Sequence, residues 1–266
     1  MFEPYLQRWD LIPDGESFSS LSGHLLPVRA RGLPAMLKLS HQPEEMAGAA
    51  LMAWWDGQGA AAVLAQAGEA LLMARAEGTA SLARMARSGQ DDDATRILCE
   101  VATRLHAPRG KPLPPLVPLT RWFASLCAEG AGHAGVLGAS ARTARALLAA
   151  PREACVLHGD IHHGNVLDFG VDGWLAIDPK GLVGERGFDV ANIFCNPDDA
   201  TALAPGRFER RLAIVAKAAD IERGRLLQWV LAWAGLSSVW MIEDGDEPGG
   251  TLEVARQAAA ALGIAH

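Results

Sequence analysis

Hydrophobic and polar positions divide the chain into two kinds of pattern. Between Phe18 and about Arg75, the strand-like runs "GHLLPVRA", "PAMLKLS" and "EALLMAR" surround one helical segment, "PEEMAGAALMAWWDG", which ends near Gly57. Beyond it, Ala- and Leu-rich segments with helical spacing take over, beginning with "DDDATRILCEVATRLHA", whose acidic opening suits a helix N-terminus. The run Asp91, Asp92, Asp93 reads as dipole-matching acids on a solvated face, and "APRGKPLPPLVPL" (residues 107–119) as a Pro-rich connector. The pattern predicts an α+β protein with a small strand-rich N-terminal part, residues 1–76, and a larger helical C-terminal part, residues 77–266.

Two stretches need separate treatment. The apolar run Leu226 to Ile242 falls short of the usual span of ~20 apolar residues and contains Gln228, Ser237 and Ser238, so it is predicted to be a core helix. Its Trp229, Trp233, Leu236 and Trp240 recur at helical spacing and mark the buried face. In "VLHGDIHHGNVLDFG" followed by "VDGWLAID", the runs "NVLDF" and "WLAID" read as a hairpin around the turn "GVDG". Pairing Phe169 with Trp174 across that turn sets Asn165 opposite Asp178.

Composition narrows the class. A hydrophobic share of 50% fits a folded globular chain, and 24 Lys+Arg against 31 Asp+Glu leave a net charge of -7, which offers no field for nucleic acid or anionic lipid. A cationic small substrate suits an acidic protein better. Cys99, Cys127, Cys155 and Cys195 are scattered without a CxxC pair, and "MFEPYLQRWDLIPDGE" has neither a basic nor an apolar leader region, so cytoplasmic residence is expected.

The chemistry concentrates in the hairpin stretch. His158 and His162 stand four apart, with His163 beside them, but Gly159 and Gly164 speak against the helix a zinc pair would need. With Asn165 facing Asp178, a carboxamide and a carboxylate form an all-oxygen pair of the kind Mg²⁺ takes when substrate phosphates supply the rest. Asp160 would lie beside that metal and accept a proton from an attacking hydroxyl. His162 and His163 are expected to shape the loop or meet phosphate. Asp168 of the literal Asp-Phe-Gly is expected to be a solvent-facing strand residue.

"HGDIHHGN" followed by a distal Asp resembles the catalytic set of the protein-kinase-like phosphotransferases, in its small-molecule version with Gly where protein kinases carry Arg. That resemblance makes Asp160 the base and Asn165 and Asp178 the metal ligands. It also asks for an ATP clamp. Lys38 in "PAMLKLS" and Glu45 on the following helix supply the ion pair that orients phosphates, with Glu44 as the alternative partner. "EALLMARAEG" is similar to the hinge strand whose backbone, near Ala74 to Ala76, meets adenine. No GxGxxG is present, so phosphate covering falls to Ser19, Ser20, Ser22 and neighbouring amides.

Longer phrases, among them "SGQDDDATRILCEVATRLHAPR", "GWLAIDPKGLVGERGFDVANIFCNPD" and "LAWAGLSSVWMIEDGD", resemble the aminoglycoside/hydroxyurea phosphotransferase family along nearly the whole chain. Within it the similarity is strongest to members that phosphorylate the 6-hydroxyl of streptomycin. The resemblance implies a two-lobe protein-kinase-like fold, ATP and Mg²⁺ as cofactors, a cationic aminoglycoside as partner, and a monomer that binds neither nucleic acid nor membrane. It further implies that Asp189 braces the catalytic loop. In this family C-terminal helical segments help wall the acceptor site, and Glu243, Asp244 and Asp246 in "VWMIEDGDE" become candidates for the two guanidinium groups of streptomycin. A kinase of another small hydroxyl compound such as hydroxyurea, or a silent ATP-binding relative, would share most of these features.

Overall fold

The computed structural model of the chain describes residues 1–20, 22–128 and 132–265. The N-terminal part comprises α1 (Glu3–Arg8), β1 (Leu11–Pro13), β2 (Phe18–Ser20), β3 (Gly23–Ala30), β4 (Leu33–Leu39), α2 (Pro43–Trp55), β5 (Val63–Ala67) and β6 (Ala70–Ala74). The helical part follows with α3 (Leu82–Arg87), α4 (Asp91–His106), β7 (Val117–Pro118), α5 (Leu119–Trp122), α6 (Ala124–Cys127) and α7 (Gly135–Ala149). Next come β8 (Ala154–Leu157), β9 (Val166–Asp168), β10 (Trp174–Ala176) and β11 (Leu182–Glu185). The chain closes with α8 (Gly187–Ala191), α9 (Asp199–Ala202), α10 (Arg207–Ala218), α11 (Arg223–Glu243) and α12 (Gly249–Ala261). The architecture is α+β, as the residue pattern predicts. β3, β4, α2, β6 and α4 fall where it puts them, while α1, β1, β2 and β5 are too short or too irregular to register in it.

All the N-terminal strands join one antiparallel sheet in the order β1-β3-β4-β6-β5, with β2 on β3. Alternation along β4 gives the sheet two apolar faces. Ala35, Leu37 and Leu39 pack with Leu26, Val28 and Leu72 on the side covered by Tyr5, Leu6 and Trp9, whereas Met36 joins Met52, Leu71 and Met73 on the side of α2. Lys38, two residues after Met36, therefore faces α2.

Helix α2 belongs to both halves. Ala49 and Met52 serve the sheet, while Leu51, Trp54 and Trp55 enter the large helical core, where Trp55 Nε1 donates to the Leu105 carbonyl at 3.1 Å and Trp54 Nε1 to that of Pro112 at 2.8 Å. Just after it, residues 59–61 bridge to β10 through Ala61 N–H to Ala176 O and Ala176 N–H to Gly59 O, both 2.9 Å. We propose the lobe division after Ala76, within the segment that joins β6 to α3, and α2 crosses it. The apolar run of residues 226–242 is α11, long and apolar enough to cross a membrane by composition, but mostly buried against α7, α8 and α12.

One expectation is corrected in this core. Asp91 is not on a solvated face: it is 1% exposed, and its carboxylate takes Arg211 Nη2 at 2.6 Å, Arg211 Nε at 3.1 Å and Arg207 Nη1 at 2.6 Å. Arg211 also donates to Ile193 O at 2.7 Å, so this pair ties α4 to α10 and to the segment after α8. Burial alone would raise the Asp91 pKa, but the bonds and charges of Arg211 and Arg207 outweigh it and hold the carboxyl below 3.8.

Removing one partner from a buried pair leaves an uncompensated charge, so Asp91→Ala is expected to cost about 3–5 kcal/mol in a denaturant titration. Because the folded pKa is depressed, this contribution is present above the ordinary carboxylate range and is lost only as pH falls below it. A variant within experimental error of the parent would show that the pair contributes nothing net.

Candidate active site

The residues singled out in the sequence converge where β4, α2 and the turn after β10 meet. Lys38 Nζ lies 2.5 Å from Glu45 Oε2 and 2.8 Å from Asp178 Oδ1, with Lys38 and Glu45 4% and 7% exposed. Glu45, not Glu44, takes Lys38, because α2 turns Glu45 inward and leaves Glu44 on the rim of a neighbouring cleft. Glu45 has a second partner that sequence reasoning missed: Lys180 Nζ at 2.8 Å from Oε1. Burial alone would lower the Lys180 pKa, but Glu45, Asp160 and Asp178 outweigh it and raise it.

Close packing fixes this cluster. A Cβ on Gly48 would come within 2.0 Å of the Pro179 carbonyl oxygen, and one on Gly181 (φ +68) within 3.1 Å of Ala47 Cβ, so α2 lies directly on the Asp178–Gly181 segment. Asp178 has φ +58 and carries its carboxylate back to Lys38 and to the Ser22 hydroxyl, which donates to Oδ2 at 2.9 Å. Burial pushes the Asp178 carboxyl up, but Lys38 and Ser22 outweigh it and hold it below its ordinary value.

The loop expected to be catalytic leaves β8 at His158. Asp189 accepts the backbone N–H of His158 at 2.8 Å and of Gly159 at 2.7 Å, and its Oδ2 lies 2.8 Å from His106 Nε2, which gives it the bracing contacts expected of it. Gly159 has φ +94, and a Cβ there would meet Lys180 Cβ at 2.8 Å. Asp160 follows with both oxygens engaged: Asn165 Nδ2 donates to Oδ2 at 3.0 Å and Asn192 Nδ2 to Oδ1 at 2.8 Å. Asn192 carried no signal in the sequence beyond its place after "GFDVA". His162 Nε2 lies 3.6 Å from Asp160 Oδ2, beyond hydrogen-bond distance. Burial would raise the Asp160 pKa, but His162, His158 and Lys180 outweigh it, so the carboxylate stays ionised at neutral pH.

The histidines do not converge on a metal. His158 Nε2 pairs with Ile177 O at 2.8 Å, His162 Nδ1 accepts the Gly164 N–H at 3.0 Å, and His163 is 2% exposed with neither ring nitrogen hydrogen-bonded. Burial pushes His163 down to about 3, which makes it a neutral packing group rather than a phosphate ligand.

Other expectations change. The hairpin forms one register step away from the expected pairing: Trp174 faces Asp168 and Ala176 faces Val166, which puts Asn165 opposite Ile177. Gly170 and Gly173, both at positive φ, shorten the turn and pair Phe169 with Gly173. Asp178 reaches the site through its own left-handed backbone, not through cross-strand pairing. Asp168 is not free strand surface, since its carboxylate accepts the N–H of Ala80 at 3.1 Å and of Gly170 at 2.9 Å, and its carbonyl that of Gly78 at 3.0 Å.

Ser19 and Ser20 are exposed and bond His24 and Ser22, and only Ser22 reaches the carboxylates. Ala74 and Ala76 end the β6 segment half-buried, with the Ala74 N–H already given to Ala62 O at 2.9 Å.

Next to Asp160 opens a cleft of about 1020 Å³. Asp160 and Lys180 stand at one side, Glu44 and Asp244 contribute carboxylates, and Trp122, Trp233 and Trp240 form apolar wall, with Trp122 edge-on to Trp240 at 5.5 Å. Of the acidic tail only Asp244 lines this cleft. Glu243 and Asp246 are exposed outside it.

Residues 8–245 match the family described as aminoglycoside/hydroxyurea antibiotic resistance kinase. The chain is 56% identical over 245 residues to a streptomycin 3''-kinase of Klebsiella pneumoniae, covering 90% of this chain and 92% of that protein. It is 32% identical over 258 residues to a streptomycin 6-kinase of Streptomyces griseus, covering 90% and 81% respectively. Among solved structures it is similar to a thermostable aminoglycoside phosphotransferase APH(4)-Ia mutant in ternary complex with AMP-PNP and hygromycin B, with TM-score 0.65, 14% identity, and 98% of this chain and 96% of that chain covered.

The Asp168 contacts have a measurable consequence. Asp168→Ala is expected to cost about 0.5–1.5 kcal/mol, since water can replace the carboxylate at these exposed N–H groups, and to speed amide exchange at Ala80 and Gly170 by mass spectrometry. Unchanged exchange at both would show that the carboxylate is not the tether.

Proposed function

Because the chain belongs to the aminoglycoside/hydroxyurea antibiotic resistance kinases, we propose that it transfers the γ-phosphoryl group of ATP to a hydroxyl of streptomycin and thereby inactivates it. The observation that carries this reading is the placement of Asp160 at the side of a cleft with tryptophan walls and two further carboxylates. Streptomycin carries two guanidinium groups, which remain charged at working pH, pair bidentately with carboxylates and stack on indole faces. Glu44 and Asp244 are suited to them, and Glu44 takes over the role expected of Glu243 and Asp246. We take the 3''-hydroxyl as acceptor in place of the 6-hydroxyl, because identity to the 3''-kinase is 56% against 32% to the 6-kinase.

In this mechanism the loop positions and the charges stabilise. Asp160, kept ionised and pinned by Asn165 and Asn192, orients the acceptor hydroxyl and takes its proton. Lys38, steadied by Glu45, holds the nucleotide phosphates. Adenine is assigned to the hinge backbone near Ala74 and Ala76, and phosphate covering to the Ser22 turn that follows Ser19 and Ser20. Asn165 and Asp178, one register step apart at the open end of the β9–β10 hairpin, offer oxygen donors that would hold Mg²⁺, whose charge would neutralise the phosphates. ATP use is supported by the AMP-PNP complex of the structural neighbour. We assign the enzyme to the cytoplasm, where ATP is at hand, and to a monomeric state.

Purified protein incubated with ATP, Mg²⁺ and streptomycin is expected to give ADP and a monophosphorylated drug whose phosphate two-dimensional NMR locates on the 3''-oxygen. Phosphate on the 6-oxygen would revise the regiochemistry, and no product with any aminoglycoside would end the reading. Asp160→Asn is expected to lower kcat by about 10²- to 10⁴-fold with nucleotide binding retained. Glu44→Gln with Asp244→Asn should raise KM for streptomycin but not for ATP, whereas Glu243→Gln with Asp246→Asn should change neither. Equal effects of the two pairs would place the guanidinium contacts elsewhere.

A further inference from the structure

We propose that Lys180 is a second catalytic cation: its ammonium passes from Glu45 to the γ-phosphoryl group and stabilises the charge that builds there during transfer. This rests on the kinase reading above. In the step, the acceptor oxygen forms a bond to the γ-phosphorus and its proton goes to Asp160. The bond from that phosphorus to the β–γ bridging oxygen breaks, and its electron pair leaves with ADP.

Three features of the site converge on this role. First, the two lysines on Glu45 face opposite ways. Lys38 lines the small cavity that contains Asp178, whereas Lys180 lines the acceptor cleft beside Asp160. Lys180, two residues after Asp178 and lining the cleft with Asp160, stands between the two sides of the site.

Second, Glu45 keeps a cation when Lys180 leaves. Lys38 lies 2.5 Å from one oxygen of Glu45 and 2.8 Å from Asp178, while Lys180 holds the other oxygen of Glu45 at 2.8 Å. Lys180 can therefore turn to a phosphoryl group without leaving Glu45 unpaired.

Third, the backbone of Lys180 is fixed while its side chain keeps an exit. Its N–H donates to His158 O at 2.6 Å, Gly159 abuts its Cβ, and α2 presses on Pro179 through Gly48. The side chain remains 19% exposed towards the cleft. A cation held on a rigid segment beside the transferred group is what phosphoryl transfer rewards, because charge stabilisation and positioning supply most of the rate.

The test uses Lys180→Gln, whose amide can still donate to Glu45, and Lys180→Arg, which restores the charge. Calorimetric titration with ADP and with AMP-PNP reads the γ-phosphoryl contact without turnover, and steady-state kinetics with streptomycin read the transfer. Lys180→Gln is expected to bind ADP as the parent does, bind AMP-PNP more weakly, and lose about 10²- to 10³-fold in kcat, with Lys180→Arg recovering much of it.

Near-parental kcat in Lys180→Gln overturns the proposal. So does a joint fall in ADP and AMP-PNP affinity with a lowered melting temperature, which would mark Lys180 as a clamp on Glu45. Should Lys180→Gln not melt cooperatively, Lys180→Met repeats the test, and failure of both to fold assigns the residue to structure. If the parent phosphorylates no aminoglycoside, the proposed function falls, and the ADP against AMP-PNP comparison still judges Lys180.

Discussion

A single buried carboxylate organises the candidate site. Glu45 meets Lys38 from the sheet and Lys180 from the segment after β10, so one side chain on α2 joins the strand just before it to a segment 135 residues further along the chain. A carboxylate buried this deeply is tolerable only when paired, and the pairing holds only if all three backbones stay in place. Close glycine contacts serve that: Gly48 against Pro179 and Gly181 against Ala47 let α2 lie directly on the segment that carries Asp178 and Lys180. The tryptophans at the end of α2, hydrogen-bonded to Leu105 and Pro112, anchor it to the helical core. Kinases in which this helix swings use its position as a switch; here the packing sets it in place.

Charge balance follows from the same cluster. Glu45, Asp178 and Asp160 carry three negative charges against the two of Lys38 and Lys180, with Ser22, Asn165 and Asn192 satisfying the remaining oxygens. The surplus is small and negative, and it lies between the small cavity lined by Lys38 and a cleft that has carboxylates of its own. Such a site welcomes a divalent cation with its phosphates on one side and a guanidinium-bearing acceptor on the other.

Much of this was legible in the sequence because it rests on local pattern. Alternation placed Lys38 on a strand, helical spacing placed Glu45 in the first turn of α2, and the spacing of Asp160 to Asn165 marked the loop. What escaped depended on geometry that pattern does not encode. The hairpin register turned on Gly170 and Gly173, where aromatic matching of Phe169 with Trp174 pointed one residue wrong. Asp91 looked like a helix-capping acid because its partners, Arg207 and Arg211, lie more than a hundred residues away. Asn192 and Lys180 have no motif of their own and acquire meaning only when Asp160 and Glu45 are seen beside them. The acidic tail read as a cluster, yet the end of α11 presents one member, Asp244, to the cleft.

On the proposed reading, a phosphoryl group passes directly from ATP to an acceptor hydroxyl oriented by Asp160, with no covalent stop on the protein. The stereochemical course at phosphorus tests it most directly, using ATP made chiral with oxygen isotopes at the γ-position and streptomycin as acceptor. Inversion of configuration in the phosphorylated drug is the result the account expects, since a single in-line displacement reverses the phosphorus centre. Retention would require two displacements through a phosphorylated side chain, and would contradict it.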